Sequence, residues 1–228
     1  MHQRKITLLT QSILLATVLS ISLVASACSA ESSNTPILSN QSTAAEIYEL
    51  GLAYFEGESA PKNYDRAFEL LQQAANQDYA PAKYDLGTMH YEGLGTKKDY
   101  QKAFEWIQQA ANQENIEAQS ILGVMYESGV GINQDYKKAM EWYLLAADQE
   151  SDLAQLNIGG LYANGYVVPQ DDDKAFEWYQ KAADRGNQEA SNRIGRLVMN
   201  DKIDDKDIVI YSTQKTELTL GDIEKMNH

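Results

Sequence analysis

Asn115-Ile-Glu-Ala-Gln-Ser-Ile-Leu-Gly-Val-Met-Tyr-Glu-Ser-Gly-Val-Gly131, followed by Asp135, Lys138-Ala139, Trp142 and Ala146-Ala147, is one copy of a unit that recurs along the chain. Its Gly123 belongs to the series Gly51, Gly87, Gly123, Gly159 and Gly195, spaced 36 residues apart with no insertion or deletion. A period locked in this way marks a solenoid built by stacking one supersecondary unit. Ala67, Ala103, Ala139 and Ala175 share the period, as do the pairs Ala74-Ala75, Ala110-Ala111, Ala146-Ala147 and Ala182-Ala183. Trp106, Trp142 and Trp178 repeat with Leu70 in the first copy, and Tyr54, Tyr126 and Tyr162 repeat with His90 in the second.

Within each copy the small and apolar residues fall three or four apart, which is helical spacing. Thr43, Asn115, Ser151 and Asn187 stand at one phase and are N-cap residues by type; Tyr79 breaks that set, with Pro81 in a first turn that tolerates proline. Asn63, Asp99, Asp135 and Asp171 form a second set of caps. Each unit therefore reads as helix A, a glycine-bearing loop and helix B, with helices of roughly 13 residues. The expected architecture is all-α, an α/α solenoid of about four and a half units over residues 43–200. A glycine inside every helix A costs about 0.5–1 kcal/mol relative to alanine, so another helix is expected to pass close by. The paired alanines of helix B are the expected opposite surface, with tyrosine and tryptophan rings alongside.

These spaced residues resemble the Sel1-like repeat, a relative of the tetratricopeptide repeat, across residues 43–200. Ala118, Leu122-Gly123, Tyr126, Gly129, Gly131, Asp135, Lys138-Ala139, Trp142 and Ala146-Ala147 carry the likeness most fully. The first copy departs most, with Glu46, Ser59 and Leu70 at pattern positions, as suits a terminal unit. The resemblance implies protein binding rather than catalysis. In related tetratricopeptide solenoids helix A lines the binding groove, which places Tyr48, Leu52, Phe55 and Glu56 of the first unit and Tyr84, Thr88, Tyr91 and Glu92 of the second on it. Ser120, Val124, Glu127 and Ser128, then Leu156, Gly160, Ala163 and Asn164, follow in later units. Aromatic residues gather in the first two units, so Tyr48, Phe55, Glu56, Tyr84, Tyr91 and Glu92 are the expected partner-binding residues, with exposed rings as anchors.

Ahead of the repeats, Arg4 and Lys5 precede a mostly apolar run from Ile6 to Val24, and Ala25-Ser-Ala-Cys28 follows. That is a signal peptide over residues 1–27. Cys28 is the single cysteine and stands where a bacterial lipobox would place it, although Ala25 replaces the usual leucine. By that resemblance Cys28 is the lipid-bearing mature N-terminus, and Ser29 after it favours the outer membrane. Residues 28–42, rich in serine, read as a flexible tether averaging roughly 20 Å. The expected location is the cell envelope, facing the periplasm and touching the membrane only through the lipid.

The chain of 228 residues has a formal net charge of −14. An acidic surface repels nucleic acid and favours a basic protein partner. Glu69, Glu105, Glu141 and Glu177 form a helix-B ladder, each three residues after a lysine or arginine, and read as a solvated face with weak pairing. No cofactor or metal is expected: HExxH, GxSxG, Walker and CxxC patterns are absent, and Asp201, Asp204, Asp205 and Asp207 lack the glycine and closing glutamate of a calcium loop. Ser59-Ala-Pro-Lys62 and Ser212-Thr-Gln-Lys215 match SxxK, the nucleophile motif of β-lactam-recognising enzymes, but have no SDN or KTG companion. The expected function is thus a non-enzymatic lipoprotein scaffold, adaptor or regulator. The resemblance also admits an immunity protein against a secreted antibacterial toxin, and less readily a β-lactam or cell-wall enzyme. Residues 201–228 leave the period and read as a C-terminal cap or tail.

Overall fold

The computed structural model describes residues 42–57 and 60–199. The signal peptide, Cys28, the tether up to residue 41, Ser59, the Ser212–Lys215 motif and the segment 201–228 lie outside the described residues. Among the described residues nine helices follow one another: α1 (Ala44–Glu56), α2 (Tyr64–Asn76), α3 (Ala80–Glu92), α4 (Tyr100–Ala111), α5 (Ile116–Ser128), α6 (Tyr136–Asp148), α7 (Asp152–Asn164), α8 (Asp172–Asp184) and α9 (Gln188–Met199). Odd-numbered helices are the A helices and even-numbered ones the B helices. The fold is an all-α solenoid with α9 as an unaccompanied fifth A helix among these residues.

The caps explain the sharp helix starts. The Thr43, Asn115 and Ser151 side chains each accept from a backbone N–H three residues on, and Thr43 forms a reciprocal capping box with Glu46. Asn63, Asp99, Asp135 and Asp171 do the same for the B helices, and Asn187 for α9. Tyr79 makes no side-chain cap, and Pro81 occupies the first turn instead. Caps of this kind contribute about 1 kcal/mol each. Left-handed glycines close α1, α3, α5 and α7. Asp78, Glu114 and Glu150 take the left-handed conformation after the B helices, where a non-glycine residue costs roughly 1–2 kcal/mol. Contacts of two of these side chains offset part of that cost: Gln113 Nε2 donates to Asp78 Oδ1 at 2.7 Å, and Arg185 pairs with Glu150 at 2.9 Å, each tying one unit to the next.

Every interior A helix packs between the B helix of its own unit and that of the unit before, whereas successive A helices barely touch. The A helices are accordingly buried around most of their circumference, while the B helices bury one stripe and expose the other. The periodic alanines sit in the deepest positions, with Ala67, Ala103, Ala139 and Ala175 fully inaccessible.

Helix B passes close to the A-helix glycine as expected, with the Ala103 and Ala175 carbonyl oxygens 3.1 Å from a Cβ on Gly87 and Gly159, but the opposing side chain differs from the expectation. A Cβ on Gly123 would lie 2.4 Å from the Tyr143 ring, and one on Gly159 2.5 Å from the Tyr179 ring. On Gly87 it would meet Ile107 at 2.4 Å, and on Gly51 Leu71 at 3.0 Å. The opposing residue is thus the one twenty positions later, in the middle of helix B, and not the paired alanines, which pack elsewhere in the core. A Cβ added to Gly195 would meet nothing within 4 Å, since no helix B accompanies α9 among the described residues.

Candidate functional site

The side of the A helices left between flanking B helices is a stripe of half-buried and exposed residues. In α1 and α3 it is aromatic and acidic. Tyr91 is 43% exposed and packs at 5.1 Å against Tyr100, the first residue of α4, which is 42% exposed. Phe55 makes the equivalent contact with Tyr64 one unit earlier, at 5.3 Å and edge-on. Lys62 and Lys98 lie over the faces of Tyr64 and Tyr100, shielding one side of each. Glu56 and Glu92, which end their helices, are exposed.

Tyr48 and Tyr84, expected as exposed anchors, are instead half-buried. Tyr48 stands edge-on to Tyr79 at 5.2 Å, and the Asp85 carboxyl group of α3 lies near enough to act on its hydroxyl. Burial, with help from Asp85, pushes the Tyr48 hydroxyl well above its ordinary range, so it stays a donor. Asp85 is held above the usual carboxylate range by burial, with Glu56 adding to the effect and the Tyr48 hydroxyl opposing it. Tyr84 is raised by burial and by the charges of Asp85 and Glu117. The cluster thus joins α1, α3 and α5. Sequence reading missed Asp85 because it occupies no special place in the repeat, and only the stacking of whole units brings it near Tyr48.

Further along, the stripe changes. Ser120, placed on the exposed set by sequence, is buried: its hydroxyl bonds Ile116 O at 3.0 Å and Ser151 Oγ at 2.8 Å, linking two units. Tyr143 reaches through the gap opposite Gly123, and its hydroxyl donates to Glu127 Oε2 at 2.6 Å. Leu156, Gly160 and Ala163 then leave the fourth unit without an exposed ring on α7.

On the other side, the helix-B glutamate ladder is solvated as expected but forms its ion pair in one unit only, Arg66–Glu69 at 2.7 Å. Lys174 pairs with Asp171 instead, and Lys138 sits over the Tyr126 ring. His90 takes the periodic tyrosine position, 4% exposed, edge-on to Phe68 at 5.3 Å and with Nδ1 lacking a hydrogen-bond partner. It belongs to the core. Among the described residues no group of three His, Cys, Asp or Glu side chains is placed to hold a metal ion, and no helix is long and apolar enough to cross a membrane.

The Sel1 repeat family model matches residues 47–79, 80–115, 116–151 and 152–187. A Sel1 repeat protein from Oxalobacter formigenes has a similar crystal structure, with a TM-score of 0.68 and 27% identity over 77% of this chain and 73% of that one. A protective antigen of uropathogenic Escherichia coli that displays the same repeat fold is 38% identical over 68% of this chain, with a TM-score of 0.65; the match spans 33% of that longer protein. No match was found among curated proteins. With four consecutive units matched and the helix pairs stacked as the repeat requires, the chain belongs to the Sel1 repeat family and carries a scaffold suited to protein–protein interaction.

Proposed function

We propose that the protein is a cell-envelope lipoprotein, anchored through Cys28 and facing the periplasm, that binds another protein through the A-helix side of its first two repeats. The observation that carries the binding site is the exposed Tyr91–Tyr100 pair, backed by Phe55–Tyr64 one unit away and edged by Glu56 and Glu92. Tyrosines with a supported ring and an open face are typical anchors, because they supply contact area at little entropic cost. Their support comes from the solenoid itself, so a partner would meet a surface already in place.

The test is capture of the native partner by full-length protein carrying Tyr91→Ala and Tyr100→Ala. Affinity should fall more than tenfold, about 1.4 kcal/mol, with helicity and thermal midpoint close to wild type. Undiminished capture would remove this surface from consideration. Anchoring has its own check: palmitate should label the wild type and leave Cys28→Ala unlabelled, and equal labelling would refute the lipid attachment.

A further inference from the structure

One backbone bond recurs in each of the four units at the turn from helix A to helix B. The N–H of the helix-B cap donates to the carbonyl oxygen of the periodic aromatic position: Asn63 to Tyr54 at 2.8 Å, Asp135 to Tyr126 at 2.8 Å and Asp171 to Tyr162 at 3.1 Å. In the second unit Asp99 donates to His90, again at 2.8 Å. The bond ties the last turn of helix A to the start of helix B. In the second unit the next residues beyond its two ends are Tyr91 and Tyr100, the exposed pair with ring centroids 5.1 Å apart. The side chain of the same residue plugs the core. Tyr126 stands edge-on to Phe104 and His90 edge-on to Phe68, each on the preceding helix B.

Of the four units, the second alone makes this clasp from a side chain that takes up a proton near neutrality. His90 is 4% exposed, and its Nδ1 has no hydrogen-bond partner. In the imidazolium both ring nitrogens carry an N–H, so a proton brings a buried charge and a buried donor with no acceptor at Nδ1. Both are costly inside a core. The neighbouring lysine adds to the cost. Lys138 and Lys174 lie over the Tyr126 and Tyr162 rings at 5.3 and 5.5 Å, where a cation is attracted to the ring face, and Lys102 stands at the same phase in the second unit. Beside an imidazolium that lysine is a like charge. Burial, aided by Lys102, holds the His90 ring below its ordinary pKa, with Asp99 and the Lys97 backbone opposing. The remaining charged groups on the surrounding elements are exposed: Asp65, Arg66 and Glu69 on α2, Glu92 at the end of α3, and Lys97 and Lys98 in the loop.

We infer that His90 is an acid-sensitive clasp on the docking surface: a proton on its ring loosens the hold of the α3 end on the α4 cap, and the Tyr91–Tyr100 pair then loses the geometry that a partner meets. The inference rests on the protein-binding reading above and adds to it the regulation of that surface. A bound partner favours the closed clasp and hence the neutral ring, so binding and protonation are linked. With the ring neutral the surface is in place. As pH falls below the ordinary histidine value, near 6.5, the competent fraction falls and the apparent affinity falls with it. The first, third and fourth units have tyrosine in the clasp, which does not titrate in this range.

Hydrogen exchange of the full-length protein, resolved to single amides and corrected for the intrinsic effect of pH, reads the clasp directly. Between about pH 7.5 and 5, protection of the Asp99 amide should fall about tenfold or more, while the Asn63, Asp135 and Asp171 amides change less than about twofold. In His90→Tyr, which restores the periodic residue, the Asp99 amide should behave like the other three. Native-partner capture should weaken about fivefold or more over the same range in the wild type and less than about twofold in His90→Tyr, which keeps the exposed Glu56 and Glu92. An Asp99 amide as protected in acid as the other three overturns the clasp. Equal loss of capture in both proteins overturns it too, since the response then belongs to the surface carboxylates. The three other cap amides are controls within the wild type, so the clasp is read even where the variant folds poorly. Capture at neutral pH by Tyr91→Ala/Tyr100→Ala separates the two levels. If it is undiminished, the surface is refuted and the gate with it; if it is lost while wild-type capture is unchanged in acid, the gate alone is refuted.

Discussion

The first two repeats and the next two share a backbone period but differ in where rings stand at two positions, the helix-A stripe and the helix-B residue facing the glycine. In the first pair the rings of the stripe belong to helix A (Tyr48, Phe55, Tyr84 and Tyr91), and the residue packed against the A-helix glycine is aliphatic, Leu71 or Ile107. In the second pair helix A offers Ser120, Val124, Leu156, Gly160 and Ala163, and helix B sends Tyr143 or Tyr179 through the space opposite the glycine. At these positions a ring thus lies on the helix-A stripe in one half and against the helix-A glycine in the other. A solenoid tolerates this because each unit answers mainly to its neighbours, so content can vary along the array while geometry does not.

The largest expected effect tests the two kinds of glycine packing. Gly123→Ala would push a methyl group into the ring of Tyr143, which is fully buried and tied by its hydroxyl to Glu127, and should cost about 1–3 kcal/mol. Gly51→Ala meets the Leu71 side chain at 3.0 Å and Leu70 Cβ at 3.4 Å, looser contacts than at Gly123, and gains helix propensity, so its net effect should stay within about 1 kcal/mol. Urea unfolding of the two variants measures the difference, and equal losses would mean that aliphatic and aromatic backing are equally unyielding.

A smaller effect concerns the second unit, the one that replaces its periodic tyrosine. Burial, aided by the nearby Lys102, holds the His90 side chain below its ordinary pKa, so the folded state favours the neutral ring. Stability from this group is complete above the unfolded value near 6.5 and is lost as pH falls below it towards the folded value. His90→Tyr should therefore melt with less dependence on pH between about 7.5 and 5 than the wild type. Parallel pH profiles would show that the buried ring accommodates a proton. The smallest effect lies at α9, the last of the described helices. Gly195→Ala, with empty space around the new methyl group, should raise stability by about 0.5–1 kcal/mol, and a loss of stability on thermal unfolding would reveal a neighbour packed there.

Much of the fold was legible because periodic residues report periodic contacts: the caps, the loop glycines, the buried alanines and the core position of His90 all follow from phase. The partner of the A-helix glycine was not, because residues 71, 107, 143 and 179 carry leucine, isoleucine and two tyrosines, and a position with mixed chemistry does not announce itself as a contact. The surface was read less fully than the core. Tyr91 is exposed as expected, but whether Tyr48 and Tyr84 stand free depends on the packing of one A helix beside its neighbours. Asp85 comes near Tyr48 only when the second unit stacks on the first. Ser120 shows the same limit, since its partner Ser151 lies in the next unit.

The loops also explain why this chain keeps its copies at one length. A Cβ on Gly95 would fall 2.1 Å from the carbonyl oxygen of Tyr64, and one on Gly131 2.1 Å from that of Tyr100, so each loop rests on the start of helix B in the preceding unit. In the fourth unit Val167 stands at the equivalent position, and Tyr166 stacks on Tyr136 instead, at 4.4 Å. A residue added to the second or third loop would lift it off its neighbour as well as distort its own turn. Inheritance of such an array then proceeds in whole tiles: a unit can be gained, lost or repainted with new side chains, but not lengthened by a little.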